Sequence, residues 1–398
     1  MTIQELTLNQ LGEVARGRSR HRPRDAAFLY GGPFPFVQTG DVKRAGLYLT
    51  EYEQTYSEAG LTQSRLWPAG TLCITIAANI ADTAILGIDA CFPDSVIGFT
   101  AAPEKADARF VKYLFDAVLK MRFRSFTQGA AQDNLSQEKL LSIKFPVPEL
   151  RIQQRIADVL SAYDDLIENN RRRIALLEEA ARMLYREWFV RFRFPGHEHV
   201  NIIDGIPEGW ERRTLGEVAQ TNCESYRAKE LPDQINYIDI SSVQRGRIVS
   251  KTPMLATEAP GRARRKAKDG DVIWSNVRPN LRAYALVLEP NAADIFSTGF
   301  TVLSAKDVPF TWLYLFVTTD SLVGYLVNHA TGAGYPAVRP DDFERAAVVV
   351  PPKVLLTLFN DATESNFRLI AKLDQQNQKL ALARDLLLPR LMNGEIAV

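Results

Sequence analysis

One stretch constrains the whole chain. From Ile152 to Phe194 an apolar seam recurs in alternating steps of four and three, at Ile156, Leu160, Tyr163, Ile167, Asn170, Ile174, Leu177, Ala181, Leu184 and Trp188, with no Pro or Gly to interrupt it. That spacing is the a/d pattern of a coiled coil. At 1.5 Å per residue a helix of about 40 residues is roughly 60 Å long, longer than a small domain is wide, so it is a spacer as much as a core. Asn170 is polar on an apolar seam, which costs stability but fixes register and partner. The matching seam lies at the C-terminus, between Leu355 and Met392: Phe359, Ile370, Leu373, Leu380, Leu387 and Leu391, with Asn377 as its polar member. Pro389 weakens only the last turn. Two unrelated amphipathic helices in separate cores would share this periodicity; an internal repeat favours a pair.

The halves of the chain match. Leu11-Gly12-Glu13-Val14-Ala15 recurs as Leu215-Gly216-Glu217-Val218-Ala219, and the extended run Phe36 to Val42 aligns with Tyr237 to Val243. Pro68 to Leu72 matches Lys268 to Val272, and Gly98-Phe99-Thr100 matches Gly299-Phe300-Thr301. Phe145-Pro146-Val147-Pro148 and Val350-Pro351-Pro352 each introduce a long helix. The globular part of each half reads as short β-branched and aromatic runs bounded by turn residues: Thr71 to Ile76, Ile85 to Ile88, Val272 to Trp274 and Tyr284 to Leu288. A helix follows in each, Phe110 to Met121 and Thr311 to Asn328. The unit is a mixed α and β domain, then a long helix, twice over. Paired antiparallel, the helices imply a pseudo-twofold with a domain at each end, an arrangement suited to two half-sites on a duplex.

Composition excludes more than it selects. With 398 residues, 46% hydrophobic and 24% charged, the chain supports two or three proper cores. A net charge of +1 exerts no global pull on nucleic acid, so any such role rests on local clusters. Three scattered cysteines, Cys73, Cys91 and Cys223, make neither a disulfide framework nor a thiolate metal site, and point to a reducing, cytoplasmic setting. No apolar leader and no stretch of ~18 apolar residues is present, so neither export nor membrane insertion is expected.

Several motifs resemble the specificity subunit of type I restriction-modification systems. They are Phe145-Pro146-Val147-Pro148-Glu149-Leu150 leading into Gln153-Gln154-Arg155-Ile156, then Asp165-Leu166-Ile167-Glu168-Asn169-Asn170, then Glu187-Trp188-Phe189-Val190 followed by Phe192-Arg193-Phe194-Pro195-Gly196. Ile206-Pro207-Glu208-Gly209-Trp210 looks like the opening of a second recognition domain. The resemblance covers essentially the whole chain. It implies an α+β fold: two tandem mixed α/β target-recognition domains, residues 1–150 and 195–352, separated by two long helices, 151–194 and 353–398, that pair as an antiparallel coiled coil. It also implies a non-catalytic subunit that binds double-stranded DNA and docks two modification (methyltransferase) subunits and, in a full enzyme, restriction/translocase subunits. No cofactor of its own is expected; S-adenosylmethionine, Mg and ATP belong to the partner subunits. Two departures stand out: the first domain lacks the Pro-x-Gly-Trp lead of the second, and Asn366 and Arg384 occupy seam positions of the second helix.

Candidate DNA contacts come from basic and amide-bearing loops. Arg16, Arg18, Arg20, His21, Arg22 and Arg24 lie in a polar run that reads as a flexible loop, and arginine suits both phosphate and guanine. A solvated charged loop is the bland alternative. The second half has Gln244-Arg245-Gly246-Arg247 and the denser run Arg262, Arg264, Arg265, Lys266 and Lys268, more suited to phosphate. Ser275-Asn276-Val277-Arg278-Pro279-Asn280-Leu281-Arg282 gathers amides and guanidinium groups in one turn, the leading candidate for base reading; its first-half counterpart around Asn79 has no basic residue. The two domains are therefore expected to read different sequences. Loops before the last strand add Gln128, Gln132 and Asn134 in one half and Tyr335 in the other, and the matched extended runs add Gln38, Thr39 and Ser242. Asn170 and Asn377 are assigned to helix register.

Enzyme motifs are missing. Gly332-Ala333-Gly334 follows a predicted helix instead of a strand, no phosphate loop occurs, and no Asn/Asp-Pro-Pro-aromatic tetrapeptide of an amino-methyltransferase is found. His197-Glu198-His199 reads as surface histidines and not a metal pair. The pairs Asp164-Asp165 and Asp341-Asp342 read as helix caps or solvated faces. An enzyme acting alone would need a motif that is absent, and a pure coiled-coil adaptor would have no use for two diversified basic domains.

Overall fold

The computed structural model describes residues 3–77, 80–126 and 137–398. They fall into two compact units, residues up to 172 with 374–398, and residues 173–373. Each holds one globular domain and its own stretch of both long helices.

In the first unit Thr7 N–H donates to Gln10 Oε1 at 2.9 Å, a capping box that starts the short helix Leu8–Leu11. Strand Gly12–Arg16 then opens a five-stranded sheet, followed in spatial order by Val96–Ala101, Leu72–Thr75, Thr83–Leu86 and Tyr48–Leu49. Neighbours are antiparallel except the last pair, which is parallel. Leu72–Thr75 is buried along its whole length, so it reads as a continuous run and not as an alternation. A second sheet runs Gln54–Tyr56, Tyr30–Phe36, Ala90–Cys91, Leu66–Trp67, its middle pair parallel. Ile3–Leu6 pairs with Phe145–Pro148, which delivers the chain into the first long helix.

The second unit repeats the order and pairing of the first four strands of the larger sheet and of all four strands of the smaller. Ala219–Thr221, Phe300–Ala305, Val272–Ser275 and Tyr284–Leu286 form one sheet; Thr252–Leu255, Gln234–Ile238, Asp294–Ser297 and Ala263–Arg265 form the other, again with a parallel middle pair. Where the first unit lays Tyr48–Leu49 parallel to Thr83–Leu86, the second makes one parallel bridge from Gly246 to Ala285. Gly70 and Gly270, at φ +87° and +86°, turn into equivalent strands in the left-handed region that glycine tolerates.

Two of the matched sequence strings are nevertheless out of register. The capping box of Thr7 and Gln10 corresponds to that of Thr214 and Glu217, so Leu11 is equivalent to Val218 and not to Leu215. Likewise Phe99 pairs with Leu72 as Leu303 pairs with Val272, so Gly98 is equivalent to Val302 and not to Gly299. Both strings slip by three residues, and they lie on strands that pair with each other. Caps and ladder hydrogen bonds decide the equivalence; chance identity of short strings does not.

The two long helices are Leu150–Tyr185 and Lys353–Met392. In the first unit they run antiparallel, with Asp164 against Arg384 and Asn170 against Asn377. Every assigned seam position of the first helix is buried or half-buried. Asn170 Nδ2 donates to Asn377 Oδ1 at 3.0 Å and to Gln376 Oε1 at 3.3 Å, which suits a register role. Asp164 is not a cap or a solvated acid. It is buried, ion-paired to Arg384, and accepts the hydroxyl of Tyr113 from the domain helix Ala108–Phe126. Arg384 thus occupies a seam position because a buried carboxylate faces it. Burial opposes the charge of Arg384, but Asp164 and Asp385 outweigh it and hold its pKa above the ordinary value. Burial and the Asp164 charge both push the Tyr113 phenol up.

In the second unit the first long helix ends in a π-helical turn, Arg186–Val190. The wider turn lets successive residues reach one side. Trp188 and Phe189 both meet Phe359, at ring separations of 5.9 and 4.9 Å, and Phe189 also meets Trp210 and Trp312. Phe189 is therefore core. The helix expected over Thr311 to Asn328 is broken in two, Phe310–Val317 and Asp320–His329. Thr318 Oγ1 donates back to the carbonyls of Tyr314 and Leu315, while Thr319 caps the second helix by accepting from Leu322 N–H. Local threonine bonds compete with helix continuation. These two helices meet at 58°, and among the described residues no single helix is long and apolar enough to cross a membrane.

Candidate nucleic-acid interface

In the first unit the basic run is a pinned loop, not a flexible one. Arg18 N–H donates to Phe92 O at 3.0 Å, Ser64 Oγ to Arg18 O at 2.9 Å, His21 N–H to Gln63 Oε1 at 2.9 Å, and Tyr30 Oη to Arg24 O at 2.7 Å. Arg22 is spent on the loop itself, donating to Ser19 O at 2.7 Å and His21 O at 2.8 Å. Arg24 pairs with Asp94 at 2.9 Å. Arg18 and Arg20 are exposed, and their guanidinium groups have no protein partner among the described residues. Gln38 caps the helix Thr39–Arg44, and its Nε2 donates to Gln54 Oε1 at 2.6 Å; Thr39 is half-buried in the first turn. Asn79, Gln128, Gln132 and Asn134 lie outside the described residues.

The second unit brings together what the sequence separates. Pro279–Leu281 is a single 3-10 turn flanked by Arg278 and Arg282, both left-handed at φ +51° and +55°. For a residue with a side chain that backbone costs roughly 1–2 kcal/mol, so the surrounding structure must enforce it. It does: Arg278 N–H donates to Pro336 O at 2.7 Å, Arg282 N–H to Pro279 O at 3.1 Å, and Val277 bridges to Ala337. The turn and the Thr331 to Ala337 loop therefore form one surface. On it the Arg278 guanidinium lies 4.7 Å from the centroid of the Tyr335 ring, and Tyr335 is 72% exposed. Arg282 pairs with Asp320 at 2.5 Å, and that hydrogen bond, with the nearby charges of Arg282, Arg245 and Arg182, holds the Asp320 carboxyl below its ordinary range. Asn280 is exposed.

Other candidates support the scaffold. Ser275 is buried, its hydroxyl donating to Val277 O at 3.0 Å. Asn276 Oδ1 accepts from Thr301 Oγ1 at 2.7 Å, and its backbone joins Gly299 and Val338. Ser242 is buried and donates to Asp239 Oδ1 at 2.8 Å. Burial opposes the Asp239 charge, but the hydrogen bonds of Ser241 and Ser242 outweigh it and hold its pKa low. Gln244 and Arg245 are exposed at the tip of the hairpin Val243–Gln244 and Arg247–Ile248, where Gly246 takes φ +82°.

In the dense basic run the Glu224 carboxylate pairs with two of the five cations. Lys266 lies 3.7 Å from Glu224 and 4.0 Å over the Tyr226 ring, and Lys268 pairs with Glu224 at 2.5 Å. Arg264 donates to Ala263 O at 2.6 Å, and Arg265, whose pKa burial lowers, donates to Ser225 Oγ at 3.1 Å. Sequence reasoning missed Asp320, the partner of Arg282, and Leu281, 63% exposed at the turn's tip. Nothing in a single sequence marks an exposed leucine or a pairing across so many residues. Among the described residues no cluster of His, Cys, Asp and Glu could hold a metal, and His197 and His199 flank Glu198 at the surface.

Residues 2–179 match the family model described as the type I restriction modification DNA specificity domain. Over those residues the chain resembles a type I restriction-modification specificity subunit. It is 24% identical to the MjaIX specificity subunit of Methanocaldococcus jannaschii over 98% of this chain and 93% of that one. The HindI specificity subunit of Haemophilus influenzae is 21% identical, over 71% of this chain and 74% of its own. An S subunit from M. genitalium shares the fold, with a TM-score of 0.59 at 14% identity over 98% of this chain and 96% of that one. The general role of such a specificity subunit is recognition of a DNA target, and it is non-catalytic.

Proposed function

We propose that this chain is a type I restriction-modification specificity subunit and that it recognises a bipartite DNA target. The first domain, residues 1–150, reads one half, and the second, 195–352, reads the other. The helices 151–194 and 353–398 set the length of an unread spacer. The observation that carries this reading is the duplicated two-sheet topology, combined with different loop chemistry on the two copies. One scaffold used twice suits two half-sites, and different loops suit different sequences. Within the reading, Arg18, Arg20 and Arg245 approach phosphates, as exposed cations do, while the paired lysines near Glu224 contribute less. The turn Arg278 to Arg282 with Tyr335 approaches base edges.

The subunit positions two modification subunits for adenine-N6 methylation and, in a full enzyme, restriction/translocase subunits, all in the cytoplasm. Those partners bring S-adenosylmethionine, ATP and Mg. The modification subunit flips the target adenine out of the duplex; this chain places it. The test is to express the chain with the modification subunit encoded beside it in a methylation-free host and to map every modified adenine. A split motif, modified on opposite strands in its two parts, is expected, and exchanging residues 1–145 for those of another specificity subunit changes one part only. A continuous motif, or an assembled complex that methylates nothing, would overturn the reading in favour of an adaptor.

A further inference from the structure

We infer that Arg278 reads a guanine in the second half of the target and that Tyr335 is the residue that positions it. The inference rests on the reading above, that this turn meets DNA, and adds which base it takes and how.

Three features separate Arg278 from its neighbours. It has no carboxylate partner among the described residues, whereas Arg282 is tied to Asp320 and Lys268 to Glu224. An ion-paired cation must give up its partner before it reads a base; Arg278 need not. Its guanidinium is also aimed before any ligand arrives. Its Cζ lies 4.7 Å over the Tyr335 ring centroid, Nη2 approaches Gly334 O at 3.4 Å, and the backbone is held by the left-handed turn, which contains the buried Pro279, and by the bond to Pro336 O. Finally, both side chains are exposed, so docking displaces only water and a weak carbonyl contact.

Guanine presents O6 and N7 side by side in the major groove, and only a planar fork of donors matches both. Much of the freedom that a long arginine side chain loses on binding is already gone here. Tyr335 makes no base contact in this scheme. It holds the guanidinium plane, and the ring carries that role without its hydroxyl.

The experiment uses the full chain co-expressed with its modification subunit, with motifs mapped as above and folding checked by thermal melting and by co-purification of the partner. R278A is expected to relax one G·C position of the second half by about ten-fold or more while leaving the first half unchanged. R278K keeps the charge but not the fork, and relaxes the same position. Y335A weakens discrimination there, and Y335F restores it. A uniform fall in methylation with an unchanged motif in R278A would make the contact a phosphate one and overturn the inference. A second half-target without a G·C pair would overturn it too, yet leave the bipartite reading intact. A wild-type motif that is not split would instead bring down the reading on which the inference rests.

Discussion

At the scale of single residues, buried charge decides more than exposed charge. Asp164 and Arg384 lie on different helices, and Tyr113 adds a third partner from the domain. Removing Arg384 strands the buried Asp164 carboxylate with only the Tyr113 hydroxyl, so Arg384→Met should cost about 3 kcal/mol or more in urea unfolding, and combining it with Asp164→Leu should recover part of the loss. Asp239 and Asp342 act differently. Burial works against each, but hydrogen bonds from Ser241 and Ser242 in one case, and from Arg339 N–H and Arg345 in the other, hold their pKa below the ordinary carboxylate range. A lowered folded-state pKa contributes stability that is present above the unfolded value of about 4 and is lost as pH falls through the folded one. The melting temperature should therefore stay level from about pH 7 to 5 and drop below about 4, and Asp342→Asn should both cost about 1 kcal/mol and flatten part of that drop.

Among the elements, equivalent strands carry different packing. Gly98 and Val302 occupy the same position in the two sheets, yet a Cβ on Gly98 would sit 2.7 Å from the Trp67 ring and 2.8 Å from Phe92. Gly98→Ala should destabilise the first unit by about 1–3 kcal/mol, read as an earlier unfolding transition of that unit alone. The helix pair has its own trade. Asn170→Leu strands the Asn377 carboxamide and should lower stability, whereas Asn170→Leu with Asn377→Leu should raise the melting temperature and loosen register, visible as faster amide exchange along the seam. The seam was readable because its period is geometric, and the sheets because Gly70 and Gly270 punctuate buried runs. The break at Thr318-Thr319 was not, since two threonines in a helical pattern are common and only their local hydrogen bonds show which ladder wins.

For the molecule as a whole, a net charge of +1 means that DNA affinity cannot come from a general field. It must come from the few cations left unpaired, so the salt dependence of binding should count those residues and not the total of 48 lysines and arginines. R18A with R20A should reduce the slope of log K against log salt by about two, measured by fluorescence anisotropy on the target duplex, with the motif unchanged. The sequence by itself determined the two long helices and the duplicated mixed domain that precedes each, because helical period and strand punctuation are properties of local chain geometry. Only the tertiary structure decided the rest. It displaced two matched strings by three residues, because ladder register is set by a partner strand. It turned Asp164 from a surface acid into a buried one and tied the two lysines of the dense basic run to Glu224, because ion pairs form between residues far apart in the chain. For the same reason it brought the Arg278 turn and the Tyr335 loop onto one surface: the contacts that join them cross more than fifty residues of sequence, which no local pattern records.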